Sequence, residues 1–290
     1  MKKFKILIPV YNDWESLFKL LEDINSTVQS IKDCDFSCVV INDCSTIKIP
    51  EIKVPSNISS LKLINMKKNK GHARCNAFGI RYLAKSNDFD YLIVMDGDGE
   101  DRPEEIVLLV RKTLQHNTST VARRVKRSEG LIFTTLYKIH RLIALIFAGK
   151  NMNFGNYCCL IKEDVLLLSN KGSLWCNFPS TIKKFVFKLE SIPCERGKRY
   201  VQPSKMSFLK LIMLSFSMLA VFKYQVLIRS TIISFFLIMF SQKSFLFSFL
   251  TVFILILFTM LVFITSKSES LPALNNSGKN ISETLNIHTN

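Results

Sequence analysis

Three apolar segments of this 290-residue chain end in polar or acidic side chains. Residues 5–10 are followed by Asn12 and Asp13, residues 37–41 by Asn42 and Asp43, and residues 91–95 by Asp96 and Asp98. Helical spacing of apolar residues at 15–31, 72–84 and 103–115, and a further strand at 61–66, complete the alternation. This order predicts an α/β fold, a mostly parallel sheet with helices on both faces. The polar ends then share one edge, where open α/β sheets bind ligands.

The most acidic strand end reads YLIVMDGDGEDRPEE over residues 91–105. Two carboxylates separated by one residue, Asp96 and Asp98, suit a hard divalent cation that bridges to phosphate oxygens. A bare pair of this kind is more often a solvated turn. A calcium loop is excluded, because the positions that need Gly and Glu hold Asp101 and Val107. The shared edge with two other polar strand ends favours a site for a metal-bound nucleotide diphosphate.

The C-terminal part contains a segment long enough to cross a lipid bilayer. Residues 245–265 carry no charge, and about 20 apolar residues suffice for a span. Residues 230–240 are also uncharged but too short to span alone. Extended back over 224–228 and forward past Lys243, they form a weaker first span if Arg229 lies at the interface. We therefore expect a transmembrane helix hairpin with its turn near residues 241–244, preceded by an interfacial helix at 208–222.

These segments divide the chain into four parts. We expect a catalytic domain at 1–205, an interfacial segment at 206–226, two transmembrane helices at 227–266 and a polar flexible tail at 267–290. The first apolar run is too short for a signal peptide, which predicts a catalytic domain facing the cytoplasm. The eight cysteines show no zinc-like spacing and are expected to be free thiols.

The formal net charge of +16 is high for this length. Nucleic acid, an anionic membrane surface and a phosphorylated substrate are all compatible with such a charge. The apolar C-terminal segments favour membrane lipids as the partner. No nucleic-acid recognition motif is present, so we expect no nucleic acid to bind.

Four sequence blocks together resemble glycosyltransferase family 2, which has the GT-A fold, and its branch of dolichol- or polyprenyl-phosphate sugar synthases. The blocks are IPVYND from Ile8, VINDCST from Val40, NKGHARCNAFGI from Asn69 and MDGDGEDRPEEI from Met95. The combination is specific, whereas each block alone is weak. The resemblance covers roughly residues 5–127 and extends less clearly to residue 229.

The resemblance implies roles on the donor side of a reaction. The residues that would bind the nucleotide sugar are Pro9, Tyr11, Asp13, Asp43, Gly71 and Asp96. Mg²⁺ or Mn²⁺ would be held by Asp96 and Asp98. Glu100 stands where the family often has Gln, so it could add a third metal ligand.

Two basic motifs imply an acceptor side. TVARRVKRSEG, from Thr120, carries Arg124 and Arg127, which match family arginines that suit either a phosphate-bearing acceptor or the diphosphate leaving group. RYVQPSKMS, from Arg199, places the acceptor phosphate against Arg199, Ser204 and Lys205, although Gln202 replaces a family glycine. With Asp98 and Asp101, the two arginines of the first motif form the expected catalytic group.

The implied reaction is inverting transfer of one sugar from a UDP- or GDP-sugar to polyprenyl phosphate or another lipid-linked acceptor. One alternative is a hydroxyl acceptor on a saccharide or glycolipid in cell-envelope polysaccharide synthesis. That reaction needs a base, for which Asp101 is a candidate. A second alternative is a catalytically silent membrane scaffold. The donor sugar and the oligomeric state are not readable from the sequence, which leaves a homo-oligomer open.

Overall fold

A computed structural model describes residues 1–126, 131–201, 207–239 and 245–288. Its strands form one eight-stranded sheet in the order β7-β5-β6-β4-β1-β2-β3-β8. The strands are β1 (Lys2–Val10), β2 (Cys34–Asn42), β3 (Ser60–Met66), β4 (Tyr91–Val94), β5 (Ser119–Lys126), β6 (Phe154–Ile161), β7 (Leu189–Glu195) and β8 (Ile281–His288). The helices are α1 (Trp14–Val28), α2 (His72–Ser86), α3 (Ile106–His116), α4 (Leu131–Ile143), α5 (Lys162–Ser169), α6 (Phe178–Phe185), α7 (Phe208–Ala220), α8 (Lys223–Met239), α9 (Phe245–Ser266) and α10 (Leu271–Asn275).

The sheet is mixed but mostly parallel. Strands β1 to β4 run in one direction, as do β5 and β7, whereas β6 and β8 run the other way. The strands and helices expected over the first 115 residues are confirmed, with small shifts at their ends. The antiparallel strand β6 inserts between β4 and β5, and the sequence did not predict it.

Two apolar cores cover the two faces of the sheet. Ile6 and Ile8 of β1 pack with α1 and α3, whereas Leu7 between them packs with α2, α5 and α6. Gly79 lets α2 approach β1 closely, because a Cβ there would lie 2.4 Å from Leu7 Cδ1. This close packing fixes the N-terminus of α2 beside the C-terminal ends of the parallel strands.

A third apolar cluster joins the C-terminal helices to the segment after α4. A π-helical turn at Ala144–Ala148 follows α4, and its alanines pack with Phe222, Val226 and Val262. Arg229 of α8 donates a hydrogen bond from Nη1 to the carbonyl of Ile146 at 3.0 Å. Arg229, which the sequence predicts to lie at a membrane interface, therefore contacts the C-terminal end of the π-helical turn. A positive charge is favourable at the C-terminal end of a helix.

One described helix, α9, is long and apolar enough to cross a membrane by itself. The helices α7 and α8 pass the same test only as a pair, and they are bent by 91° relative to each other. The start of α8 lies beside the end of α9, since the rings of Tyr224 and Phe263 are 6.2 Å apart. The expected turn at residues 241–244 lies outside the described residues.

The expectation of a flexible tail is wrong for most of the residues after α9. Helix α10 and a 3₁₀ turn at Ser277–Asn280 lead into β8, which pairs antiparallel with β3. An edge strand presents a row of unpaired backbone donors and acceptors, and these pair readily with another segment. The tail therefore completes the sheet instead of remaining loose.

The pairing of β8 constrains any membrane topology. The chain leaves the sheet after β7 and returns to the same sheet at β8, with α7, α8 and α9 between them. An even number of membrane crossings must therefore separate the two strands. A crossing by α9 requires a return crossing upstream of it.

We predict that reporters fused to the two ends of the full chain lie on the same side of the membrane. The measurement compares a fluorescent protein with alkaline phosphatase at each end, since the two report opposite sides. The same reporter should be active at both ends. Reporters active on opposite sides would show an odd number of crossings and contradict the pairing of β3 with β8.

Candidate active site

The polar strand ends meet at one edge of the sheet, as the sequence predicts. Parallel pairing of β2, β1 and β4 places Asn42, Val10 and Val94 at the same end of adjacent strands. The loops that follow carry the expected acidic and polar residues. The candidate site is therefore the surface formed by the loops after β1, β2, β3 and β4.

Hydrogen bonds connect the loop after β1 to the loop after β2. Asn12 Oδ1 accepts hydrogen bonds from the backbone amides of Thr46 at 2.8 Å and Ile47 at 3.2 Å. The backbone amide of Asn12 donates to Ser45 Oγ at 2.9 Å. Asn12 and Cys44 both have left-handed backbones, with φ of +52° and +61°. Such conformations concentrate at functional sites, where surrounding contacts maintain them.

Asp43 holds the loop that precedes α2. Its carboxylate oxygens accept hydrogen bonds from the backbone amides of Lys70 at 2.8 Å and Gly71 at 2.7 Å. Gly71 has a φ of +87°, a backbone conformation that favours glycine. The structure thus gives Asp43 a positioning contact, and its direct contact with a nucleotide stays a prediction.

The other residues expected to bind a nucleotide differ in exposure. Pro9 is buried within β1, so it offers the loop no side-chain surface. Tyr11 is 43% exposed at the end of β1, which leaves its ring accessible as a stacking surface. Asp13 is half-buried.

The carboxylates of the acidic turn after β4 accept hydrogen bonds from backbone amides of the same turn. Asp101 is buried, and its Oδ2 accepts a hydrogen bond from the Asp96 amide at 2.9 Å. Asp98 Oδ1 accepts a hydrogen bond from the Glu100 amide at 3.0 Å. Gly99 between them has a φ of +85°. The turn therefore brings four carboxylates close together.

Cationic and polar side chains from distant parts of the chain surround these carboxylates. His72 Nε2 and Asn156 Nδ2 contact Asp96 Oδ1 at 3.0 Å and 3.1 Å. Arg199 Nη2 lies 2.6 Å from Asp98 Oδ2, and Arg199 Nε lies 3.5 Å from Glu100 Oε1. Two further arginines approach the turn: Arg196 pairs with Glu100, and Arg124 Nη2 lies 3.8 Å from Asp101 Oδ1.

This arrangement shifts the pKa values of Asp96, Asp98, Asp101 and His72. Burial, reinforced by the charge of Asp96, raises the pKa of Asp98 to about 6 and that of Asp101 to about 7. Burial also opposes the ionisation of Asp96, but His72, Arg124 and Asn156 outweigh it and hold the pKa of Asp96 well below its usual range. Asp96 in turn raises the pKa of His72, against the effect of burial.

The segment after β7 lies along the acidic turn and delivers the arginines. The backbone amide of Gly197 donates to the Glu100 carbonyl at 2.9 Å, and that of Tyr200 donates to the Asp98 carbonyl at 3.0 Å. The Tyr200 hydroxyl donates to Asp23 Oδ2 of α1 at 2.6 Å. We call residues 196–200 the basic strap.

The carboxylates fit a divalent cation only in part. Their oxygens are the hard donors that Mg²⁺ and Mn²⁺ prefer, and Mg²⁺ commonly takes one or two carboxylates plus substrate phosphates. No group of three or more metal-binding side chains converges within the described ranges. Asp98 and Glu100 contact Arg199 instead. The residues present thus fit a metal that takes further ligands from a bound diphosphate.

Several predicted residues lie outside the described residues, namely Arg127, Ser204 and Lys205. Conversely, the sequence did not assign His72, Asn156 and Arg196 to the site. His72 stands directly after Gly71 in one of the four blocks, so its position was a usable signal. Asn156 and Arg196 reach the site only through pairing of β6 and packing of the basic strap.

Sequence comparison matches this chain to a protein family and to several relatives. The model of "Glycosyl transferase family 2" matches residues 5–167. An undecaprenyl-phosphate 4-deoxy-4-formamido-L-arabinose transferase of Photorhabdus laumondii is 27% identical over 230 residues, which cover 76% of this chain and 67% of the relative. The protein of that name from Salmonella choleraesuis is 27% identical over 225 residues, covering 75% and 67%.

Solved structures show the same fold at low identity. Glucosyl-3-phosphoglycerate synthase from Mycobacterium tuberculosis, in complex with Mn²⁺, UDP-glucose and phosphoglyceric acid, has a TM-score of 0.54 and 14% identity over 78% of this chain and 80% of its own. A mannosyltransferase from Pyrobaculum calidifontis, in complex with GDP-Man and Mn²⁺, has a TM-score of 0.50 and 12% identity over 95% and 75%. The sheet and its covering helices are thus GT-A-like.

We predict that Gly99→Ala loosens the basic strap. A Cβ at this position would lie 2.5 Å from the Tyr200 ring, and the left-handed backbone disfavours alanine. A loss of about 1–2 kcal/mol corresponds to roughly five- to thirty-fold more frequent local opening. Trypsin should then cleave faster after Arg196, Lys198 and Arg199.

The matched control is Gly278→Ala, because a Cβ at Gly278 has no heavy atom within 4 Å. Its cleavage rate should equal that of the unmodified protein. An unchanged rate in Gly99→Ala would show that the contact of Tyr200 with the turn does not hold the strap.

Proposed function

Because this chain belongs to glycosyl transferase family 2, we propose that it transfers one sugar, with inversion, from a UDP- or GDP-sugar to polyprenyl phosphate. The sequence relatives support this acceptor, since they are named undecaprenyl-phosphate sugar transferases and align with three quarters of the chain. The observation that carries the proposal is the acidic turn after β4, whose carboxylates pair with Arg124, Arg196 and Arg199. Such a site suits two phosphate-bearing substrates and a divalent cation.

We assign the donor to the loops after β1, β2 and β3. Tyr11 offers its exposed ring to the base, and Asp13 lies beside it. Asp43 holds Gly71 so that the backbone before α2 can approach the nucleotide. We also assign Asp96, which His72 and Asn156 hold in place after β4, to the donor.

We assign the metal to Asp98, with Asp96 and Glu100 as further ligands. Mg²⁺ or Mn²⁺, when bound, neutralises the charge that develops on the leaving diphosphate. Asp98 and Glu100 must exchange their contacts with Arg199 for this ligation. The exchange leaves the Arg199 guanidinium available to an anion at the same place.

We assign the acceptor phosphate to Arg199 and to the following residues Ser204 and Lys205. Arginine pairs with phosphate through two parallel hydrogen bonds, which orients the attacking oxygen. Arg124 lies beside Asp101, and Arg127 follows it in the motif. An acceptor that is already anionic needs orientation and removal of water more than it needs a base.

A hydroxyl acceptor would need that base, and the structure allows its candidate to be assessed. A pKa raised to about 7 by burial suits proton abstraction by Asp101. However, Asp101 is only 4% exposed and already accepts a hydrogen bond from the Asp96 amide. We therefore assign Asp101 to the closure of the turn and favour the phosphate acceptor.

We further propose that α8 and α9 form a transmembrane hairpin, with α7 along the interface and the sheet in the cytoplasm. The even number of crossings between β7 and β8 supports a return helix. Lys223 Nζ at the start of α8 lies 3.7 Å from Glu269 Oε1, two residues after Lys267. The two lysines therefore lie at the same end of the hairpin, as the positive-inside rule expects. In this arrangement the basic strap precedes the interfacial helix α7 in the chain. The phosphate of a lipid in the membrane would therefore lie near the strap.

The acceptor is tested by assaying the full chain with UDP- and GDP-sugars and polyprenyl phosphate, and following sugar in the lipid product. We expect transfer from one donor class in the presence of Mn²⁺ or Mg²⁺. Parallel reactions contain polyprenol and a saccharide acceptor, which offer hydroxyls only. Transfer to these and none to polyprenyl phosphate would contradict the proposal.

We predict that Asp98→Asn lowers turnover at least about a hundredfold, because a metal ion supplies several kcal/mol of charge stabilisation. The protein should still fold and insert. Asp88→Asn is the matched control, since Asp88 lies on the surface and pairs with Lys3. Full activity in Asp98→Asn, or activity of the unmodified protein in excess chelator, would refute the metal assignment.

A further inference from the structure

The segment that follows the apolar helix α9 forms the outer strand β8, which pairs with β3. The loop after β3 is one of the three loops to which we assign the donor. We propose that residues 279–283 position the basic loop 67–71 for the donor nucleotide, with Asn280 as the positioning residue. The inference rests on the proposed function, because it assigns a further part of the donor site.

Asn280 holds the basic loop through both its backbone and its side chain. The Lys67 amide donates to the Asn280 carbonyl at 2.7 Å, and Asn280 Nδ2 donates to the Lys68 carbonyl at 3.0 Å. Lys67 Nζ also donates to the Lys279 carbonyl at 3.3 Å. Lys67 and Lys68 lie beyond the end of β3, so regular strand pairing does not determine how the loop continues.

Next to these contacts, polar side chains connect three neighbouring strands. Ser282 Oγ donates to the Asn65 carbonyl at 2.9 Å, and Asn65 Nδ2 donates to Glu283 Oε2 at 3.3 Å. Asn42 Nδ2 donates to Asn65 Oδ1 at 2.9 Å, and Asn42 Oδ1 accepts from the Ser45 amide at 3.0 Å. The C-terminal segment is thus linked across β3 to the loop after β2.

Asp43 holds the other end of the basic loop. Asp43 binds the amides of Lys70 and Gly71, whereas Asn280 binds the backbone of Lys67 and Lys68. The side chains of Lys67, Lys68 and Lys70 are exposed. Cations placed at the mouth of a nucleotide pocket attract and orient a diphosphate. The position of these cations therefore depends on both anchors.

The test compares two asparagines of the same C-terminal segment. Asn280→Ala removes the amide that holds Lys68, and Asn280→Asp keeps the size but lacks the donor. Asn286→Ala is the control, because Asn286 pairs with Lys62 farther along β8 and away from the loop. Binding of UDP and of GDP to the full chain is measured by calorimetry with Mn²⁺, together with the thermal midpoint.

We expect both Asn280 variants to weaken the nucleoside diphosphate that the unmodified protein binds by roughly three- to ten-fold, the effect of one hydrogen bond. Asn286→Ala should bind like the unmodified protein. In turnover, the KM for the donor should rise in the Asn280 variants, while kcat and the KM for the acceptor stay unchanged.

Equal affinity in all four proteins would overturn the inference alone. An equal loss in the Asn280 variants and in Asn286→Ala would also overturn it, because the effect would then belong to the stability of β8. Failure of the unmodified protein to bind either nucleotide would overturn the proposed function and the inference with it.

Discussion

Four carboxylates within six residues must be accommodated at one end of the sheet, and the arrangement of the rest of the site follows from this. Asp96, Asp98, Glu100 and Asp101 are partly or fully buried, and partly desolvated like charges destabilise a fold unless cations compensate them. The compensating groups are His72, Arg124, Arg196 and Arg199. They come from α2, from β5 and from the strap after β7, so the turn is stable only when distant elements assemble around it.

Under the proposed function, the same compensation would allow the site to take up its substrates. Asp98 and Glu100 would exchange their contacts with Arg199 for a bound divalent cation, which would then supply the compensating positive charge. The guanidinium of Arg199 would then be available to the acceptor phosphate. In this account Arg199 of the basic strap pairs with the carboxylates before substrates bind and with the acceptor phosphate afterwards.

Local sequence signals predicted the elements that carry the site, and non-local contacts decided how its residues act. Periodicity and polar strand ends located β1 to β4 and α1 to α3, because these signals arise within each segment. The motif around Asp43 indicated an acid but not that its oxygens would bind Lys70 and Gly71. Strand β8 was missed because an edge strand needs backbone pairing more than an apolar pattern.

The central claim is that the acidic turn binds a metal ion together with a nucleoside diphosphate. Its most direct test is a titration of the unmodified full chain with Mn²⁺, followed by electron paramagnetic resonance, with and without UDP or GDP. The account predicts weak Mn²⁺ binding to the protein alone and binding at least roughly ten-fold tighter with the nucleotide. Mn²⁺ affinity that neither nucleotide changes would contradict it.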